Sequence, residues 1–176
     1  VEGELGTIGK METDEADGGI IYTDPDDAVT FVRETGVDSL AIATGTRHGI
    51  YPADLKPALR LDLLREIKQA VGIPLVLHGG SNNPDDEIAE AARSGVNKIN
   101  ISSDIKVAYH DRLREVLRDT GLREPDTIQP PAVEAMKAVA AQKIDLFGAT
   151  GKASLYEPLP AARVDLFASA AQGETY

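Results

Sequence analysis

Short apolar runs alternate along this chain with stretches in which apolar residues recur every three or four positions. The runs are Val37 to Ala43 and Ile73 to Leu77, and a more polar stretch, Val96 to Ile101, reads as a further strand. A near-continuous apolar run is what a parallel strand covered on both faces requires. At the start, Val1, Gly3 and Leu5 alternate with Glu2 and Glu4, the period-two pattern of a strand already in progress. Val1, rather than a methionine, opens the chain inside that strand, so the sequence reads as a fragment or processed chain.

The intervening stretches predict helices. Asp24 caps, Pro25 fits the first helical position, and Asp26 and Asp27 complement the macrodipole. Ala28, Val29, Phe31 and Val32 form the expected buried stripe, and Gly36 stops the helix. Leu61, Leu64, Ile67 and Val71 form a second stripe before Gly72. Asn83-Pro84-Asp85 opens a third helix, with Ile88, Ala91 and Ala92 inward and Gly95 as its stop. Ser102, Ser103 and Asp104 offer capping oxygens to a fourth, expected to run to about Thr120 with Ile105, Ala108, Leu113, Val116 and Leu117 inside. A last helix is read from Pro130, carrying Val133, Met136 and Val139. Residues 157–176 are Ala/Pro-rich without a period and read as an arm or disordered tail, which leaves 1–156 as the folded unit.

Strands alternating with helices predict α/β architecture with a parallel sheet. A (β/α)8 barrel takes about 250 residues, so four βα units in 176 residues amount to about half of one.

Composition narrows the function classes. The net charge of −11 argues against a nucleic-acid or anionic-membrane partner, since either calls for a basic face. Without cysteine there is no disulfide framework and no thiolate chemistry. No run reaches membrane-span length and no secretory leader pattern opens the chain, so the default compartment is cytoplasmic.

In a barrel, chemistry gathers at the C-terminal rim of the strands. Four features fall there: Glu4 with the acidic loop that follows it, His48-Gly49, His78-Gly79-Gly80-Ser81, and Asn100-Ile101-Ser102-Ser103. Two imidazoles suit a divalent transition metal, zinc first, yet catalytic zinc takes three protein ligands and only two histidines qualify. Either histidine alone reads more readily as a hydrogen-bonded rim residue than as a ligand, and only the two together put the metal reading level with it. His110 sits on a helix and reads as solvated surface. Glu4 could equally pair with Lys98 or Arg47. Glycines beside the histidines expose backbone N–H groups, and the serines with the helix N-termini behind them add donors that suit a phosphate.

The segments Glu2-Gly-Glu4-Leu-Gly6, Tyr22-Thr-Asp-Pro25, residues 35–49 ending in Thr-Arg-His48-Gly49, Pro74-Leu-Val-Leu-His78-Gly-Gly-Ser81, Lys98-Ile-Asn100-Ile101 and Phe147-Gly-Ala-Thr-Gly-Lys152 carry a family likeness. Together they resemble the class II, metal-dependent fructose-bisphosphate and tagatose-bisphosphate aldolases over residues 1 to about 156, the part corresponding to barrel strands five to eight.

The resemblance implies a lyase of sugar metabolism: zinc-assisted, reversible cleavage of fructose or tagatose 1,6-bisphosphate to dihydroxyacetone phosphate and glyceraldehyde 3-phosphate. It implies His48 and His78 as two of three zinc histidines, with Glu4 a carboxylate near the metal. Gly49 corresponds to a glycine that contacts the substrate phosphate or a monovalent cation, Na+ or K+, beside it. Gly79, Gly80 and Ser81 correspond to the next phosphate-binding segment, and Asn100, Ile101, Ser102 and Ser103 to the segment that holds dihydroxyacetone phosphate. Glu12 corresponds to the loop glutamate that assists proton transfer. The third histidine and the aspartate base belong to the half not present here, so the chain alone is expected to be inactive. The family's assemblies imply a homo-oligomer, dimer or tetramer. Two departures stand out. Asn82-Asn83 follow Ser81 where the family often has another glycine, and Lys10-Met11 precede Glu12. The competing reading is a non-catalytic phosphate-binding barrel fragment that serves as a binding or interaction module.

Overall fold

Each apolar run becomes a strand whose odd and even residues face different environments. The computed structural model describes residues 1–8, 20–49 and 58–156. The order is β1 (Glu2–Leu5), α1 (Pro25–Thr35), β2 (Ser39–Ile42), α2 (Leu61–Val71), β3 (Leu75–Leu77), α3 (Asp85–Arg93), β4 (Val96–Ile99), α4 (Ser103–Val116) and α5 (Pro125–Leu146), then a 3-10 turn over Ala153–Tyr156. All pairings are parallel and the sheet order is β1-β2-β3-β4. Each βα unit therefore lays its next strand at one growing edge.

One sheet face is the core. Leu40 and Ile42 of β2, Leu75 and Leu77 of β3 and Val96 of β4 pack with Ala28 of α1, Leu63, Leu64 and Ile67 of α2, and Ile88 and Ala91 of α3. Alternation sends Ala41 and Val76 to the other face. In register with them stand Glu4 on β1 and Lys98 on β4. That face thus carries small and apolar residues in the middle and charges at both edges. A bulge between β3 and β4 fits a local cause: the Asn97 side chain takes the Leu75 N–H at 3.2 Å, in place of a ladder partner.

The helix stops follow the sequence closely. Asp24 accepts from the amides of Asp26 and Asp27, and Gly36 closes α1 with φ 65°. Several expectations need correction. Val29, expected in the α1 stripe, is exposed, while Ala28 is fully buried. Helix α4 ends at Val116 rather than Thr120; none of its residues is fully buried and Leu117 is exposed. It packs chiefly against α5, so its apolar residues meet one neighbouring helix and not the sheet core. Helix α5 begins at Pro125, not Pro130, and runs through Pro130 and Pro131. Pro125 holds the first-turn position, where a missing N–H costs nothing. The two later prolines leave only the carbonyls of the first turn without amide partners. The third helix has no side-chain cap from Asn83, and Ser94 rather than Gly95 is its C-cap.

Thr23 ties the sheet's C-terminal rim together. Its hydroxyl donates to Leu5 O at 2.6 Å and accepts from Ala43 N at 2.8 Å, and the residue is buried. Just before it, Thr7 and Ile21 form an antiparallel bridge that closes the base of the segment carrying Glu12. Glu12 itself, and the tail expected at 157–176, lie outside the described residues.

Candidate functional site

The loops that leave β2, β3 and β4 converge at one end of the sheet. Thr46, fully buried, donates to His78 O at 2.7 Å and so fastens the His48 loop to the end of β3. Asn100 N donates to Leu77 O, and Gly80 N donates to Asn100 O. These bonds extend the β3–β4 ladder past the strand ends and bring His78-Gly79 beside Asn100-Ile101. Gly79 sits at φ 62°, and a Cβ there would come within 2.6 Å of Arg47 O. The two histidine loops touch through backbone at that point, which no side chain would permit.

A cavity of about 290 Å³ opens between these loops, lined by His48, Gly49, Gly79, Ser81, Asn100, Ser102, Ser103 and Lys106. Gly80 and Ile101 stand behind its wall, in contact with each other: a Cβ on Gly80 would meet Ile101 Cδ1 at 3.0 Å. Gly80 N–H is already bonded, so its contribution is to packing and not donation. Ser81 is buried and its hydroxyl oxygen accepts from Ser102 N at 3.0 Å and Asp104 N at 3.4 Å. Helix α4 is therefore capped by a serine of the neighbouring loop. Its own Ser102 makes no side-chain cap bond, contrary to the expectation that residues 102–104 would cap it. Asn83 plays a different part from the cap expected of it. Its Nδ2 donates to Gly79 O at 2.8 Å and Ser81 O at 2.9 Å, closing the loop on itself.

Among the described residues, no carboxylate lines the cavity. Lys106, in the first turn of α4, is the ammonium among the cavity's described lining residues. Sequence reasoning passed over Lys106 because one lysine on a helix carries no signal by itself. The clue was position, one helical turn from Ser102, on the face turned toward the loops.

The two imidazoles lie side by side, with ring centroids 6.3 Å apart. His78 is flanked by β1 carboxylates: its Nε2 is 3.1 Å from Glu2 Oε1 and its Nδ1 is 3.4 Å from Glu4 Oε1. Lys98 reaches Glu2 Oε2 at 2.8 Å, so the pairing entertained between Lys98 and Glu4 belongs to Glu2. Lys98 first, then His78, holds the Glu2 carboxyl below the usual carboxylate range. Glu2 was missed because period two assigned Glu2 and Glu4 to one face and gave no means of choosing between them. The donor types, two imidazoles with carboxylates adjacent, suit a divalent cation. Among the described residues, however, no three such side chains are gathered closely enough to share one ion.

Comparison with known proteins settles the family. The model of class-II fructose-bisphosphate aldolase matches residues 1–152. The chain belongs to that family. It is 39% identical over 155 residues to a fructose-bisphosphate aldolase of Geobacillus stearothermophilus, across 88% of this chain and 53% of the relative. It is 41% identical over 154 residues to a 6-phospho-5-dehydro-2-deoxy-D-gluconate aldolase of Bacillus licheniformis, across 87% of this chain and 52% of the relative. The crystal structure of the YdjI aldolase from Escherichia coli K12 superimposes with a TM-score of 0.67 at 35% identity, covering 86% of this chain and 50% of that one. The chain thus spans about half the length of the curated relatives it matches. Its four parallel strands are a (β/α)8-barrel fragment, as the count of βα units predicted. No helix among the described residues is long and apolar enough to cross a membrane.

Proposed function

We propose that this chain supplies the phosphate-binding end and two metal ligands of a ketose-bisphosphate aldolase. The reaction is the reversible cleavage of fructose or tagatose 1,6-bisphosphate to dihydroxyacetone phosphate and glyceraldehyde 3-phosphate. The observation that carries this reading is a cavity whose described lining residues bring a lysine, serines and glycines but no carboxylate, in a chain of net charge −11. Amides of Gly49 and Gly79, hydroxyls of Ser102 and Ser103, the α4 N-terminus and the Lys106 ammonium all favour an anion there.

His48 and His78 would hold zinc, with Glu4 beside them, and zinc when bound supplies Lewis-acid polarisation of a ketone. The chain's own residues do the positioning. The cavity grips the phosphate of the dihydroxyacetone end, and Asn100, exposed at the end of β4, stands where it can donate to the adjoining carbonyl region. Glu2 orients His78 from behind. Glu12 is assigned the proton transfer at the nucleophilic carbon. The base for the neighbouring hydroxyl has no counterpart in this reading, so the chain by itself is expected not to turn over. One relative is named a 6-phospho-5-dehydro-2-deoxy-D-gluconate aldolase, so assays should pair sugar bisphosphates with that monophosphate.

Titration of the chain with inorganic phosphate and with dihydroxyacetone phosphate tests the site. Both should shift the Gly79 and Ser103 amide resonances. Lys106→Met should weaken both ligands about tenfold, as loss of one charge-assisted contact would. Absence of binding by either ligand would remove the reading. A coupled assay that detects cleavage of fructose 1,6-bisphosphate by the chain alone would overturn its predicted inactivity.

A further inference from the structure

The outer side of the Gly79–Asn83 loop is pinned by a chain of charges that neither the cavity nor the metal ligands use. Asn82 is the non-glycine residue at positive φ among the described residues, at 57°. Its N–H does not point into the cavity. It donates to Asp104 Oδ1 at 2.9 Å. Asp104 belongs to the first turn of α4, and its other oxygen, Oδ2, is buried and has no hydrogen-bond partner among the described residues. Lys143, from α5, places its ammonium 3.3 Å from that oxygen and 3.0 Å from Asp85 Oδ1 at the start of α3. Only 11% of the Lys143 side chain is exposed. One lysine therefore gathers the first turns of α3 and α4 around the loop that lies between them.

We infer that Lys143 is a positioning residue for the anion-binding loop, acting through Asp104. Two physical effects join in it. Asn82 needs an acceptor to hold its left-handed backbone, and a fixed carboxylate supplies one. That carboxylate would also put an unbalanced negative charge behind a loop meant to receive a phosphate. Lys143 balances it, so the loop gains its anchor without repelling its ligand. The ammonium never touches the ligand, and Lys143 stands 60 residues beyond the end of the loop it controls. This inference deepens the phosphate-site reading and rests on it.

The test uses the whole chain, with amide hydrogen exchange at Asn82 and titration with inorganic phosphate as separate readouts. Lys143→Met should speed Asn82 exchange and weaken phosphate binding roughly tenfold, the scale of one uncompensated charge several ångströms from an anion at intermediate dielectric. Lys143→Arg should restore both. A merely structural lysine would lower thermal stability and leave Asn82 exchange and phosphate affinity at their wild-type values relative to neighbouring amides; that result overturns the proposal. Should Lys143→Met fail to fold, Asp104→Asn replaces it: a neutral acceptor should again speed Asn82 exchange, and unchanged exchange again counts against the brace. If Asn82 responds to Lys143 while wild-type protein binds no phosphate, the brace stands and the anion-site reading falls.

Discussion

His78 Nε2 lies 3.1 Å from Glu2 Oε1, although 76 positions separate the two residues in the chain. The parallel order β1-β2-β3 puts one intervening strand between them, and that strand presents Ala41. Glu2 is also held by Lys98 from the far edge of the sheet. The imidazole is therefore oriented by a carboxylate that is itself fixed.

That arrangement predicts the behaviour of Glu2→Gln. With its proton on Nε2, His78 donates to Glu2 and leaves Nδ1 as the lone-pair nitrogen. Replacing the carboxylate by an amide should weaken zinc binding by about 10- to 100-fold, as loss of a partner behind a metal-binding histidine does. Calorimetric zinc titration of wild type and variant checks it, and equal affinities would contradict the orienting role.

Thr23→Val preserves shape and removes the hydroxyl that joins Leu5 O to Ala43 N. Two backbone groups at a buried rim lose their partner, so unfolding in urea should show a loss of about 1–3 kcal/mol. A melt indistinguishable from wild type would mean that the β1 and β2 ends relax without cost.

Gly36 and Gly79 separate backbone strain from collision. Both have positive φ, at 65° and 62°, but a Cβ on Gly36 meets nothing within 4 Å while one on Gly79 meets Arg47 O at 2.6 Å. Gly36→Ala should cost roughly 1–2 kcal/mol from its left-handed conformation alone. Gly79→Ala should cost more and should also displace the His48 loop, visible as shifted His48 ring resonances. Equal costs and an undisturbed His48 would refute the close approach.

Lys143 gives a pH signature. Burial pulls its ammonium down, but Asp85 and Asp104 outweigh that and leave the pKa above the ordinary lysine value of 10.5. The folded protein then holds this proton more tightly than the unfolded chain. Its contribution is complete below pH 10.5 and is lost as pH rises through the raised value. The stability gap between wild type and Lys143→Met should stay constant from neutral pH to about pH 9 and close at higher pH. A gap that closes on acidification within the neutral range would assign the effect to another group.

Apolar period and punctuation determined the four βα units, the α1 and α2 boundaries, and the candidacy of His48 and His78, because burial on two faces and left-handed stops each leave a local mark. Asn82 stands where related sequences often have a glycine, and asparagine tolerates the φ of 57° found there. The local signal failed where a residue's partner lies elsewhere. Asp104 and Ser102 looked like caps of their own helix, yet Ser81 caps it from another loop. Pro130 looked like a start, yet Pro125 had already filled that role.

Sequence alone thus determined the strands, their order and the kind of chemistry at their ends, because each depends on spacing within one element. Only tertiary structure decided which of two glutamates meets His78 and Lys98, why Lys106 faces the cavity, and that Lys143 reaches the loop it braces. Those outcomes depend on register between strands and on helices packed far from their partners in the chain, and neither is written in any local stretch of residues.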